Sequence, residues 1–436
     1  MEERMRIFFS VGEPSGDLHG ANLIRRLKSQ TEVECVGFGG PKMAAAGCEL
    51  KFELTSMAVM FIAEVLKNIR LFFRLIGDAD KYFAENKVDA VVLIDYPGFN
   101  WWIARKAKKH GIPVFYYGVP QMWAWAAWRV RKIRKFVDHV LCKLPFEVQW
   151  FKERGCQATF VGHPYFDQLE NQTYDDDFLG EFTNDDRPLL TLLPGSRNQE
   201  VTSVLPILLD TAKIVKQAVP NCRIVVASYN QPQRAVADAM LAERDVDVET
   251  MVGRTPELMK TAQVCIACSG SVSMELLYYR KPTIIVFKVK RWVMWAQAIL
   301  LKAKFITLVN LMATNDIKKK TWAPYDPDAK DAEEVVMPEY LTTGNPSAKV
   351  AARAIRWLSD EGLRAAKVAE LDVLASRFAI SGATDQAADY LLQQLGVATI
   401  TLSGTKQLNG NMESESAASR RSAWSNYSRV ERVSSV

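Results

Sequence analysis

The chain has 436 residues, 48% of them hydrophobic and 24% charged, with a net charge of +5. At roughly 150 residues per domain this is material for about two or three domains, and the balance excludes a disordered chain, a collagen-like chain and a coiled coil. The mild positive charge comes with no aromatic-interleaved basic motif, so it points away from nucleic acid and is compatible with an anionic membrane surface or with phosphates.

In chain order, short runs rich in Val, Ile and Phe at Arg6–Val11, Glu34–Gly37, Ala90–Asp95, Pro113–Tyr117, His139–Lys143 and Thr159–Val161 predict strands. Charged segments of helical period, such as Leu18–Lys28 and Trp102–Lys109, separate most of them. Apolar strands alternating with helices indicate βαβ units and a parallel sheet. Residues 167–187 are acidic, rich in Asn, Asp and Thr, and read as a linker. The rhythm restarts at Leu189–Leu193 and continues through Arg223–Ala227, Val246–Val252, Val264–Ala267 and Thr283–Val289. Residues 347–395 carry a helical pattern, and after Gly396 the composition falls to Ser, Asn, Arg and Glu. The predicted fold is therefore α/β: doubly wound, Rossmann-like domains at 1–170 and 185–345, helices at 346–395 and a disordered Ser-rich tail at 396–436.

Seven irregularly spaced cysteines argue against a disulfide framework and for a reducing compartment. Cys265 and Cys268 form a C-x-x-C inside a predicted strand with no second pair or histidine nearby, so they read as buried thiols. The first apolar run is too short, and its start too acidic, for a signal peptide. The stretch Val293–Leu301, flanked by lysines and Arg291, falls below the ~18 apolar residues that span a bilayer. A cytoplasmic location without a transmembrane anchor is expected.

Ligands of open parallel sheets bind beyond the carboxyl ends of the strands. Gly12-Glu13-Pro14-Ser15-Gly16-Asp17 follows the first strand; its glycines permit close backbone approach, and Ser15 or Asp17 is suited to cap the next helix. It is not a dinucleotide fingerprint, since Lys42 stands where the run from Gly37 needs its last glycine, and no Walker A sequence occurs. Leu193-Pro194-Gly195-Ser196-Arg197 runs into a helix start whose N–H groups suit a phosphate, with the Arg197 guanidinium to grip it. A surface arginine after a turn is the plainer alternative. Ser269-Gly270-Ser271 repeats the pattern, and Glu275 just beyond it suits a vicinal diol such as ribose, or else is a solvated helical glutamate.

Asp95, at the end of a strand, is placed either to deprotonate a hydroxyl or, like Asn100, to cap the following helix. Asp-x-Asp at 78–80, 245–247 and 326–328 opens no glycine-rich loop, so no metal and no cofactor is expected. Trp101, Trp102, Trp123, Trp125 and Trp128, and again Trp292 and Trp295, lie near Lys and Arg, the mixture found at membrane interfaces and also in ordinary cores. His163 in Gly-His-Pro reads as a turn residue.

Together, Gly-Glu-x-Ser-Gly-Asp (12–17), Asp-x-Pro-x-Phe-Asn (95–100), Trp-Ala-Trp (123–125), Leu-Pro-Phe-Glu (144–147), Gly-His-Pro (162–164) and Leu-Pro-Gly-Ser-Arg-x-x-Glu (193–200) resemble the lipid-A-disaccharide synthase family. Ser-Gly-Ser (269–271), Glu275, Asn310 and Pro338-Glu339 extend the resemblance, which runs over residues 6 to 390. It implies a GT-B glycosyltransferase, two Rossmann-like domains facing a cleft. The implied reaction transfers 2,3-diacylglucosamine from UDP to the 6-hydroxyl of 2,3-diacylglucosamine 1-phosphate (lipid X), inverting to a β-1,6 linkage. Asp95 is then the catalytic residue. Gly195, Ser196, Arg197, Glu200, Ser269, Gly270, Ser271, Glu275 and Asn310 bind the donor, and Glu13, Ser15, Gly16, Asp17, Asn100, Trp123 and Trp125 lie on the acceptor side. The resemblance also implies peripheral attachment to the cytoplasmic face of the inner membrane and allows a homodimer.

Rival readings are another UDP-N-acetylglucosamine transferase or epimerase of the same fold, and a UDP-sugar-binding protein without turnover. An epimerase needs a different acid–base set in the cleft. Asp95 and Arg197 together favour turnover.

Overall fold

The computed structural model describes residues 4–57, 69–300, 302–314, 316–318, 324–330, 332 and 334–397, and of 296–300 the backbone helix only. The expected tail lies almost entirely outside these residues.

The first sheet contains β1 (Met5–Val11), β2 (Val33–Gly39), β3 (Glu49–Glu53), β4 (Ala90–Ile94), β5 (Val114–Tyr117), β6 (His139–Cys142) and β7 (Ala158–Phe160). Their spatial order is β3-β2-β1-β4-β5-β6-β7, and every pair is parallel. The second contains β8 (Leu189–Leu193), β9 (Arg223–Ser228), β10 (Glu249–Val252), β11 (Val264–Cys268), β12 (Thr283–Lys288) and β13 (Glu339–Thr342). Its order is β10-β9-β8-β11-β12-β13, again parallel throughout. Both follow the doubly wound pattern, in which the chain reverses its direction of winding beside the first strand. That reversal opens a crevice at the carboxyl ends of β1 and β4 in one sheet, and of β8 and β11 in the other.

Burial on both faces makes the central strands continuous apolar runs, and the pleat divides their side chains between two cores. In the second sheet Leu189, Leu193, Val225, Ala227, Cys265 and Ala267 join a core that also holds Phe8, Val91 and Tyr116 of the first. Leu190, Leu192, Ile224, Val226, Val264 and Ile266 fill the other face, beneath helices Asn198–Ala218 and Ser347–Ser359. A fully buried Leu, Ile or Val contributes about 1.5–3 kcal/mol, which fixes the strand register. All seven cysteines are free and buried, and burial pushes the thiols of Cys265 and Cys268 up to about 12.

The expected linker is not bare. It opens inside helix Pro164–Glu170 and contains helix Asp176–Thr183, the second capped by Asp175 through the Phe178 N–H at 3.1 Å. Phe182 of that helix lies 3.8 Å beneath the Arg223 guanidinium, which also pairs with Glu181, Asp185 and Glu249. The helical segment near the C-terminus resolves into Ser347–Ser359, Glu361–Phe378 and Ala383–Gln394. The start of the last is tied to the first half, where Asp167 accepts from the N–H groups of Gly382, Ala383 and Thr384 at 2.7, 3.1 and 2.9 Å. A second compact unit begins at Asp389, and its described residues complete that helix. Among the described residues no helix is long and apolar enough to cross a membrane.

Candidate active site

In the first crevice the chain leaves β1 through Gly12 and Glu13 and enters helix Pro14–Gln30 at once. A Cβ at Gly12 would stand 2.2 Å from the Tyr96 ring, so only glycine lets the β1 and β4 loops close on each other. Asp95 and Tyr96 follow β4 with φ of +46° and +42°, left-handed values that cost about 1–3 kcal/mol each in residues other than glycine. Named bonds hold them there. Asn100 Nδ2 donates to the carbonyls of Asp95, Ser10 and Ile94 at 2.8, 3.2 and 3.2 Å, and the Tyr116 hydroxyl donates to the Asp95 carbonyl at 2.7 Å. The strained turn leaves the Asp95 carboxylate at the rim of the crevice, 21% exposed.

Three charged or titratable neighbours surround that carboxylate. Lys143, just after β6, brings its Nζ to 3.3 Å from Asp95 Oδ1. Glu13 approaches from the β1 loop, and burial followed by the charge of Asp95 raises its carboxyl above the usual range. Tyr96 lies beside Glu13, with its phenol raised by burial and by that charge. Behind them, burial and the Lys143 charge push His19 down to about 3 and hold His163 well below its ordinary value, so both imidazoles are neutral.

In the second crevice Gly195 takes φ +111° between β8 and helix Asn198–Ala218. The backbone N–H groups of Ser196 and Arg197 donate to Glu200 Oε2 at 3.2 Å each. The Arg197 guanidinium, 83% exposed, touches Glu200 Oε1 at 3.1 Å and keeps its remaining N–H groups toward solvent. Across the switch point, Ser269, Gly270 and Ser271 lead into helix Val272–Tyr278, and burial raises the carboxyl of Glu275. Tyr165 spans the two halves, its hydroxyl donating to Glu275. Gln168 on the same helix bonds His19 at 3.4 Å. Helix Pro164–Glu170 therefore touches residues of both crevices.

The residues expected at the site divide into those with a side chain at a crevice and those already committed to the framework. Asp95, Glu13, Ser15, Arg197, Ser269, Ser271 and Glu275 lie at the crevices, with Gly16, Gly195 and Gly270 shaping the loops. Asp17 departs from expectation: its carboxylate accepts from the N–H groups of Gly40, Lys42 and Met43 at 3.1, 3.0 and 3.0 Å and caps helix Pro41–Ala45. Asn100 is wholly buried in the Asp95 turn, so it supports the site without reaching an acceptor. Trp123 is buried, its Nε1 donating to Glu147 at 3.0 Å, whereas Trp125 is 54% exposed. On the donor side, the Glu200 carboxylate is taken up by capping its own helix. Asn310 is 1% exposed and bonds Met337 and Glu339. The sequence reading missed Lys143, whose one signal is its place directly after a strand. Among the described residues no three His, Cys, Asp or Glu side chains are grouped to hold a metal ion.

Comparison with known proteins gives one family. The model of lipid-A-disaccharide synthetase matches residues 7–337. The lipid-A-disaccharide synthase of Geobacter sulfurreducens is 30% identical over 393 residues, 90% of this chain and 97% of that protein. That of Myxococcus xanthus is 34% identical over 312 residues, 71% of this chain and 81% of that protein. Solved structures share the fold alone. A UDP-GlcNAc 2-epimerase from Neisseria meningitidis bound to UDP-GlcNAc has TM-score 0.56 at 13% identity, covering 90% of this chain and all of that one (100%). The calicheamicin glycosyltransferase CalG4 has TM-score 0.53 at 14% identity, covering 91% and 99%.

Proposed function

The chain belongs to the lipid-A-disaccharide synthetase family and is a glycosyltransferase of lipid A assembly with the GT-B fold, and from that premise we propose how its two crevices divide the reaction. The crevice of β1 and β4 takes the acceptor, 2,3-diacylglucosamine 1-phosphate. The crevice of β8 and β11 takes UDP-2,3-diacylglucosamine. Asp95 accepts the proton of the acceptor's 6-hydroxyl, and that oxygen forms a bond to the anomeric carbon of the donor. The bond from this carbon to the β-phosphate oxygen breaks, and UDP leaves with the electron pair. Attack opposite the leaving group inverts the centre and gives the β-1,6 linkage. A base so placed contributes about 10²–10⁴-fold.

Charge developing on UDP meets Arg197 and the N–H groups that open helices Asn198–Ala218 and Val272–Tyr278. Arg197 is the group suited to close on a phosphate in bidentate fashion, because Glu200 already occupies the Ser196 and Arg197 N–H groups. The partly buried carboxylate of Glu275 suits the ribose hydroxyls in place of Tyr165.

The observation that carries this assignment is the Asp95 turn itself: a strained backbone at a topological switch point, pinned by Asn100 and Tyr116. Asp95→Asn should lower turnover at least ~10²-fold while UDP still binds. Near-normal turnover would remove Asp95 from the chemistry.

The acyl chains call for a docking surface, and exposed aromatics supply one. Trp125 and Trp128 are 54% and 65% exposed, with the Arg129 guanidinium 4.5 and 5.4 Å from their rings. Trp292 and Trp295 on helix Arg291–Leu300 are 69% and 71% exposed, and the Lys302 N–H after that helix donates to the Ala124 carbonyl at 2.7 Å. Aromatic rings beside arginine and lysine suit the headgroup region of an anionic bilayer, here the cytoplasmic face of the inner membrane. Co-sedimentation with anionic vesicles at low salt is expected. Its absence would refute the docking.

A further inference from the structure

Lys143 lies outside the motifs that carry the family resemblance, yet its ammonium reaches the Asp95 carboxylate at the rim of the first crevice. It starts after β6, two strands away from Asp95, and its path crosses the end of β5. There Gly118 holds φ +69°, and a Cβ built on it would stand 2.8 Å from Lys143 Nζ and 2.9 Å from Cε. The bare glycine leaves a groove for the lysine stem. At the end of the groove Nζ is 3.3 Å from Asp95 Oδ1, and both side chains are 21% exposed.

We propose that Lys143 is a positioning residue for Asp95, holding its carboxylate ionised and aimed at the acceptor hydroxyl. This inference rests on the assignment of Asp95 as the base. The need for a cation follows from the other groups around it. Glu13 faces Asp95 from the β1 loop, where burial and then the charge of Asp95 raise its carboxyl. Tyr96 and Tyr116 are phenols with acidities weakened by burial, and His19 and His163 are neutral, so none of these supplies positive charge. Two neighbouring carboxylates without a counter-charge tend to share one proton, and a protonated Asp95 is too weak a base to take the proton of the hydroxyl. Among the described residues, Lys143 is the cation paired with Asp95.

Both partners keep some contact with solvent, which screens the pair, so its removal is read as a displaced pH profile rather than as a loss of activity at every pH. The test is the pH dependence of kcat/KM for disaccharide formation by the full-length protein and its Lys143→Met, Lys143→Arg and Lys143→Met/Glu13→Gln variants. Lys143→Met should move the acid limb up by about one unit, so that its deficit is largest at low pH. Lys143→Arg should keep the original limb. Removing the second carboxylate in the double variant should bring the limb part of the way back. Thermal unfolding verifies that each variant folds, and Lys143→Gln replaces the Met variant if it does not.

An unmoved limb, in a preparation where Asp95→Asn abolishes turnover, overturns the role of Lys143 and leaves the base in place. Turnover retained in Asp95→Asn overturns both. A rise confined to the acceptor's KM, with the limb unmoved, overturns the proposal and assigns Lys143 to the acceptor's phosphate.

Discussion

Replacing Asn100 by alanine separates the machinery that builds the Asp95 turn from the carboxylate that uses it. Asn100 is fully buried and joins four groups: Ser10 Oγ donates to its Oδ1 at 2.6 Å, and its Nδ2 donates to the carbonyls of Asp95, Ser10 and Ile94. An amide has two N–H groups, so about three good hydrogen bonds are lost, each contributing about 1 kcal/mol net. At least one buried carbonyl or hydroxyl is left without a partner, at a cost of about 1–3 kcal/mol. The expected loss is about 4–6 kcal/mol, a large part of the ~5–15 kcal/mol that stabilises a typical domain.

Catalysis should suffer separately. With its carbonyl released, Asp95 relaxes from φ +46° and the carboxylate moves. A displacement near 1 Å costs on the order of 10²-fold. Urea unfolding gives the first quantity, and kcat at saturating substrate, measured well below the unfolding temperature, gives the second. A destabilised variant with unchanged kcat would refute the reasoning, because Asp95 would then keep its place without Asn100.

Other consequences are open to direct measurement. Arg197→Ala should weaken UDP binding in calorimetry, since a charge-assisted phosphate partner is lost; an unchanged dissociation constant defeats that assignment. Asp17→Ala should lower stability by about 1–3 kcal/mol through loss of the cap on Gly40, Lys42 and Met43, with KM for the acceptor unchanged in the surviving folded protein. Burial pushes the Glu339 carboxyl up to about 7, although Ile306, Thr307 and Asn310 all donate to it. The folded state then holds a proton that the unfolded chain releases near pH 4.5, so this group's contribution falls as pH rises from about 4.5 to 7, by at most about 3 kcal/mol. Glu339→Gln should flatten that part of the pH–stability curve, and the same slope in both proteins would contradict it.

The sheets were legible because their strands are buried on both faces and so appear as uninterrupted apolar runs. β3 was not, since Glu49, Lys51 and Glu53 alternate along an exposed edge, where charge discourages pairing with another chain. β13 was hidden because it opens on the buried Glu339. The helices within residues 164–183 escaped notice because aromatic contacts to Arg223 and Arg254, made by chain far away, stabilise the second of them. At the site, motifs located the crevices but did not distinguish residues that face a ligand from those that shape the framework. Asp17, Asn100, Trp123, Glu200 and Asn310 all have side chains engaged within the fold. Lys143 shows the reverse: a lysine after an apolar strand is unremarkable until the ends of β4, β5 and β6 are brought together.

The central claim is the union of two acylated sugars, and the most direct test is reconstitution in detergent. Purified protein, UDP-2,3-diacylglucosamine and 2,3-diacylglucosamine 1-phosphate are incubated together and singly, and the lipid products are weighed by mass spectrometry. A disaccharide monophosphate that forms only when both substrates are present is the predicted result. No disaccharide from protein shown to bind UDP would contradict the account.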